Sequence, residues 1–347
     1  MSKLSLSIDV MGGDNGPSIT VPAAIQACEE FSNLHIKLCG REGQIRPYLE
    51  NVKPYIRRQL DIVHCEESVS NDTKPSSVIR DKSDTSMRKA LELILDNQVS
   101  ACVSAGNTGA LFALSYYLLK PLQGVKRPAL ISALPRGQKK KVFLLDLGAN
   151  VESDANTLFQ YAVMGSVLVQ QVEGINRPKV ALLNVGVEQN KGNGVVKAAH
   201  DLLCDIPDIN YVGFVEGGEL FHSEVDVIVA DGFVGNVVLK ASEGLAKFLM
   251  REAKRVAKKN WGTKFLAWFA LPLLKRVYNK VNPDQYNGAS LIGLRGIVVK
   301  SHGNASKDAF YYAILEAMKE VERQVPQQIE SKINQVLAEK AKECIPK

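Results

Sequence analysis

One alternation runs through nearly all 347 residues and constrains the fold more than anything else in the chain. A short apolar run is followed by a loop of Gly, Asn, Asp and Ser, and then by a helical stretch. Runs at Leu4 to Val10, His35 to Cys39, Leu60 to His64, Val99 to Val103, Ala129 to Leu134, Lys141 to Leu147, Val180 to Val185, Asn210 to Phe214, Val225 to Val229 and Leu291 to Val299 read as strands. Most are continuously apolar, as strands covered on both faces are. Strand–helix alternation implies parallel neighbours joined by right-handed crossovers. The expected fold is α/β, a mostly parallel, doubly wound sheet. No Pro/Gly linker divides the chain, so residues 1–347 read as one unit.

Between the strands, the spacing predicts a helix from about Ser18 to Phe31, where Pro22 is tolerable only in the first turn. Another spans Ser86 to Asp96, with Met87, Leu91 and Leu95 on one stripe. Further helices are expected over Asp154 to Val172 and from near Asn236. The tail from Glu316 to Lys342 reads as amphipathic helix interrupted at Pro326, leaving 326–347 as a C-terminal helix. The polar stretch Glu66 to Asp84 reads as a long loop or a short helical turn.

Five of the strand-end loops, starting at Asp9, Ser104, Asp146, Asp231 and Ser301, share paired Gly, Asn and Asp residues. The clearest is Ser104-Ala105-Gly106-Asn107-Thr108-Gly109. Its glycines allow close backbone approach, and Asn107 or Thr108 can cap the helix that follows. Alone it is either a tight turn or an anion loop at the positive end of a helix. In open parallel sheets ligands bind beyond the carboxyl ends of strands. Five such loops on one edge would present amides and backbone N–H groups to a phosphate or an oxyanion. The expected phosphate or substrate contacts are Asp9, Gly12, Gly13, Asp14, Ser104, Gly106, Asn107, Thr108, Asn150 and Gly303. No G-x-G-x-x-G after a strand, no Walker A sequence, no H-E-x-x-H and no G-x-S-x-G occurs. Dinucleotide oxidoreductases, P-loop kinases and serine hydrolases are weak readings.

Six scattered cysteines without a C-x-x-C pair argue against zinc and against a disulfide scaffold, and fit a reduced, cytoplasmic setting. The N-terminus lacks the apolar core of a signal peptide, and no apolar run reaches 18 residues. The net charge of +6 is concentrated. Lys247 to Lys280 holds ten Lys or Arg and one acidic residue, so the remainder is net negative. A nucleic-acid-binding protein would more often be basic over a whole face. Inside this segment Phe265, Leu266, Trp268 and Phe269 belong to an apolar run flanked by cations. The run is too short to span a bilayer, but its composition suits a membrane interface. A dimer contact or a buried helical hairpin explains it as well. Residues 240–285 are expected to protrude as such a hairpin.

Ile8-Asp9-Val10-Met11-Gly12-Gly13-Asp14, Val103-Ser104-Ala105-Gly106-Asn107-Thr108-Gly109-Ala110, Leu145-Asp146-Leu147-Gly148-Ala149-Asn150, Asp231-Gly232-Phe233-Val234-Gly235-Asn236 and Ser301-His302-Gly303 together resemble the successive signatures of the bacterial phosphate acyltransferases of phospholipid synthesis. The likeness is colinear from Leu4 to about Val325. It implies a homodimer with a fold like the isocitrate/isopropylmalate dehydrogenases and phosphotransacetylases. It implies transfer of a fatty acyl group from acyl carrier protein to inorganic phosphate, with the acyl phosphate passing to a membrane glycerol-phosphate acyltransferase. It also implies a membrane-touching helical tip, and no metal or organic cofactor. Acyl carrier proteins are acidic, so Arg251 to Lys259 is a third use for the basic segment, electrostatic steering. Two stretches depart from the family pattern: Tyr286-Asn287-Gly288-Ala289-Ser290-Leu291, with Asn and Ser where Gly and Pro are common, and Gly186 to Gly192.

The reaction asks for phosphate to be held, the thioester aligned and an oxyanion stabilised. Lys191, between Asn190 and Gly192, is the first candidate for the cation, although loop lysines are usually solvated. Asn236 is the second, as an amide donor or simple N-cap. His302 is the third, as a hydrogen-bond donor or acid, or merely structural. Asp146 and Asp231 could equally be caps, and Cys102 reads as core. Two other activities fit parts of the pattern. An NAD-dependent dehydrogenase of the related fold would need a cofactor loop that is not found, and a membrane-surface scaffold would leave the five loops idle.

Overall fold

The computed structural model describes residues 4–81, 83–137, 140–257 and 283–343. Its strands are β1 (Leu4–Asp9), β2 (Leu34–Gly40), β3 (Leu60–His64), β4 (Ala101–Ser104), β5 (Ala129–Arg136), β6 (Lys140–Leu145), β7 (Lys179–Asn184), β8 (Asn210–Glu216), β9 (Val227–Val229), β10 (Ala289–Ile292) and β11 (Ile297–Lys300). They form one sheet in the order β3-β2-β1-β4-β11-β10-β5-β6-β9-β7-β8. Continuous apolarity has the predicted cause: β4, β9 and β11 are buried along their whole length. The sheet is mostly parallel, as expected, and its exceptions decide where the site lies. β10 pairs antiparallel with both β11 and β5, and β5 pairs antiparallel with β6. Two reversals leave β5 running with β1, β4 and β11. The third sends β6, β9, β7 and β8 the other way.

The five loops therefore do not share an edge. Those after β1, β4 and β11 stand at one edge of the sheet, and those after β6 and β9 at the opposite one. The expected single strand over Leu291 to Val299 is instead a hairpin, β10–β11, turning at Gly293 with φ +87. A positive φ of that size is open to glycine and costly for other residues.

The helices are α1 (Pro17–Glu30), α2 (Glu42–Leu49), α3 (Pro54–Arg57), α4 (Pro75–Arg80), α5 (Ser86–Leu95), α6 (Thr108–Leu119), α7 (Ala155–Glu173), α8 (Gly194–Cys204), α9 (Gly232–Ala257), α10 (Lys307–Glu322) and α11 (Val325–Glu343). Pro22 lies past the first turn of α1 and is tolerated there. Leu95 leaves the stripe expected of α5: it is 55% exposed, while Met87, Ala90 and Leu91 are buried. The tail is two helices. Gln324, with φ +52, breaks them apart, so Pro326 sits harmlessly in the first turn of α11. Three apolar clusters fill the two faces, and Cys102 is in the core as expected. Phe265, Leu266, Trp268 and Phe269, with most of the expected 240–285 hairpin, lie outside the described residues. No described helix is long and apolar enough to cross a membrane.

Candidate functional site

At the first edge, in-register pairing sets Asp9 beside Ser104 and Ser104 beside Lys300, so the three side chains share a face. All are buried. Asp9 accepts hydrogen bonds from Ser86 Oγ at 2.6 Å and Ser104 Oγ at 2.7 Å. Ser104 Oγ in turn accepts from Gly106 N at 3.0 Å. Burial raises the Asp9 pKa; the two serines, Lys300 and the Gly12 backbone oppose it. Burial lowers that of Lys300 to about 8, with Asp9 opposing.

Above this row the three loops lock together. Asp14 N donates to Gly303 O at 2.8 Å, joining the first loop to the third. Gly12 and Gly13 are needed for closeness: a Cβ on Gly12 would lie 2.7 Å from Gly106 N, and one on Gly13 2.7 Å from Gly303 O. Asn107, rather than Thr108, caps α6 by accepting from Ala110 N at 3.0 Å. Thr108 lies exposed in the first turn, where helix N–H groups have no intrahelical partner. The polar stretch expected to be loop or short helix is both, and it straps the site. Asn107 Nδ2 donates to Asn71 O at 2.6 Å, and Asn71 Nδ2 to Asp14 Oδ1 at 3.0 Å.

Asn287 secures the third loop. Its Oδ1 accepts from His302 N at 3.0 Å, and its Nδ2 donates to Ser301 Oγ and Ala309 O. The first departure from the family pattern thus carries a specific job in this chain. His302 extends outward, half exposed. Partial burial lowers its pKa, and the charges of Lys240, Lys300 and Lys247 add to that effect while Glu243 opposes it.

The second edge has its own knot. Asp146 accepts from Leu130 N, Ala149 N and Asn150 N, so it is an organiser of the loop rather than a helix cap. Asn150 is buried, and its amide nitrogen already donates to Pro128 O, Asp146 and Tyr161. Asp231 is a true cap, accepting from Val234 N at 2.9 Å. The helix therefore starts at Gly232, and Asn236 lies inside it rather than at its cap, against Gly148. Gly235 lets α9 press onto this loop, since a Cβ there would fall 2.0 Å from Asp146 O. Lys191 follows β7 at this same edge, exposed, with its backbone carbonyl held by Asn184 Nδ2 at 3.3 Å.

Helix α9 links the two edges. Asn236, Lys240 and Glu243 recur at helical spacing on one stripe. Lys240 Nζ lies 3.1 Å from Glu243 Oε2, and Glu243 Oε1 lies 3.9 Å from His302 Nε2. Asn236, packed against Gly148, and Lys240, whose charge bears on Lys300 and His302, are four residues apart, about 6 Å at the helical rise, so α9 brings the two loop groups close together. The predicted residues thus fall into two groups: Asp9, Gly12, Gly13, Asp14, Ser104, Gly106, Asn107, Thr108, His302 and Gly303 at one edge, and Asn150, Lys191 and Asn236 at the other. Sequence reasoning missed Ser86, Lys240, Glu243, Asn287 and Lys300. Only Lys300 left a signal, as a lysine ending an apolar strand immediately before Ser301.

Residues 4–328 match the family model described as "Fatty acid synthesis protein". The chain is 54% identical over 341 residues to a phosphate acyltransferase of Pseudoalteromonas atlantica, covering 98% of this chain and 100% of that one. It is 50% identical over 337 residues to a phosphate acyltransferase of Shewanella amazonensis, covering 97% and 98%. Among solved structures, a phosphotransacetylase from Streptococcus pyogenes superposes with a TM-score of 0.63 at 15% identity, covering 92% of this chain and 94% of that one. The EutD phosphotransacetylase from Staphylococcus aureus gives 0.59 at 14% identity, covering 93% and 95%. At such identities the structural likeness speaks for the fold alone, and it agrees with the expected phosphotransacetylase-like fold.

Proposed function

Because this chain belongs to the phosphate acyltransferase family, we propose that its two loop groups divide one reaction: transfer of a fatty acyl group from the thioester of acyl carrier protein to inorganic phosphate. The observation that carries this reading is the first edge, where three loops tied together stand at a helix N-terminus with lysines beside them. That is the form of an anion site. Phosphate held there attacks the thioester carbonyl directly. The oxyanion collapses, the C–S bond breaks, and the proton that phosphate loses ends on the thiolate. A thiolate of pKa about 8.5 leaves without much help, so orientation and oxyanion stabilisation carry the catalysis. His302, which extends outward from the third loop, hands over that proton in this proposal. Lys191, as a cation, and Asn236, as an amide donor, act on the phosphate or on the oxyanion that forms.

The test is acyl phosphate formation from acyl carrier protein thioester and phosphate, with no added nucleotide or metal. No product under those conditions overturns the reading. An acyl group trapped on a Ser or Cys after quenching overturns direct attack.

The same proposal includes a homodimer, peripheral membrane contact through Phe265, Leu266, Trp268 and Phe269, and delivery of acyl phosphate for phospholipid synthesis by a membrane glycerol-phosphate acyltransferase. Exposed Leu245, Phe248, Leu249 and Met250 on α9 lead toward that segment and favour a surface that meets another apolar body. Vesicle co-sedimentation of Trp268→Glu/Phe269→Glu should fall well below that of the unaltered protein on anionic vesicles. Equal binding would reject the membrane contact.

A further inference from the structure

Among the described residues, Lys300 is the one buried lysine. It sits at the end of β11, 8% exposed, in the row Asp9–Ser104–Lys300 beneath the three loops. Taking an ammonium out of water costs several kcal/mol unless partners surround it. Its partners are specific. Nζ donates to Ala105 O at 3.3 Å and to Ser301 O. The first carbonyl belongs to the loop after β4 and the second to the loop after β11. Asp9, at the end of β1, supplies the opposing charge and itself fixes Ser104 and Gly12. One lysine therefore touches, or is balanced by, all three loops of the first edge.

We propose that Lys300 is the positioning residue of the phosphate site: its ammonium ties the Ala105 and Ser301 carbonyls together under the loops and places a buried positive charge beneath the bound phosphate dianion. This rests on the reading that the three loops hold phosphate. The charged groups facing it are Asp9 from β1, Asp14 from the first loop, Lys240 from α9 and His302 from the third loop; Ser86 is the polar group offered by α5. Loss of the ammonium proton weakens the tie. A neutral amine still donates, but to two carbonyls beside a carboxylate it loses the charge that holds all three. Because burial lowers the Lys300 pKa to about 8, the site should weaken through a pH range in which phosphate is already mostly dianionic.

The experiment measures inorganic phosphate binding, both as KM and as the phosphate-induced rise in melting temperature, from pH 7 to 9.5. The second readout needs no acyl donor. In the unaltered protein KM should rise roughly tenfold per pH unit above about 8, the slope of a single deprotonation. In Lys300→Arg, which stays charged, KM should be flat to pH 9.5. In Lys300→Met, KM should already be at least tenfold higher at pH 7, with no alkaline limb and with a smaller change in kcat. A normal KM in Lys300→Met, or the same alkaline limb in Lys300→Arg, overturns the proposal. If Lys300→Met does not fold, the comparison of Lys300→Arg with the unaltered protein decides. Failure of the acyl carrier reading would abolish turnover while leaving phosphate stabilisation and its pH limb intact. Lack of phosphate stabilisation at every pH would instead remove the phosphate site, and the role of Lys300 with it.

Discussion

Gly12→Ala should separate loop closure from fold. Gly12 has no positive φ, so alanine meets no backbone strain; the difficulty is space. The added methyl carbon would lie 2.6 Å from Asp9 Oδ2 and 2.7 Å from Gly106 N, both firmly held. Ordinary contact needs about 0.7 Å more. Since Asp9 is fixed by Ser86 and Ser104, the first loop must move away from the second. Overpacking of this kind costs about 1–3 kcal/mol of stability. A displacement approaching 1 Å at reacting groups can cost on the order of 10² in rate. The expected result is a kcat/KM for phosphate down about a hundredfold, with a lower melting temperature but native far-UV circular dichroism. Gly43→Ala is the control. Gly43 lies in the first turn of α2, and a Cβ there meets nothing within 4 Å. It should gain up to about 0.5–1 kcal/mol and keep its rate. Gly12→Ala with an unchanged kcat/KM would refute the claim that the loops must touch to bind phosphate.

Asn287→Ala removes two buried donations and one acceptance at the third loop; it should cost about 2–4 kcal/mol in chemical denaturation and lower kcat as His302 loses its anchor. Glu320 is fully buried against Ser290, and burial, with Glu316 adding, raises its pKa to about 8. The folded state therefore binds the proton more tightly than the unfolded one, so stability falls as pH rises from about 4.5 to 8; Glu320→Gln should flatten that fall and be more stable than the unaltered protein at pH 8, by roughly 2–4 kcal/mol. Lys191→Ala should melt normally, being exposed, and lose turnover by orders of magnitude; near-normal turnover would take Lys191 out of the reaction.

Particular residues show how far the chain can be read without its structure. Asn107 and Asp154 announce helix starts because capping chemistry is local, and the structure uses them as expected. Continuous apolar runs marked the strands for the same reason. Strand direction depends on the connections rather than on the runs themselves. The six residues between Ala129 to Leu134 and Lys141 to Leu147 are too few for a parallel crossover, so that reversal was open to the sequence; the Gly293 turn that splits an expected strand in two was not. Those reversals put Asp146 and Asp231 across the sheet from Asp9 and Ser104. The alternation that revealed five loops therefore said nothing about which of them meet. Long-range partners were invisible for the same reason: Ser86 reaches Asp9 across 77 positions, and Lys300 reaches Ala105 across 195. Because α9 starts on one loop knot and carries Lys240 and Glu243 to the other, it is the element through which a two-edged sheet can present one reaction centre. Leu245, Phe248, Leu249 and Met250, exposed on the same helix, follow Lys240 and Glu243 directly, so the apolar face of α9 begins within two turns of the charges beside His302.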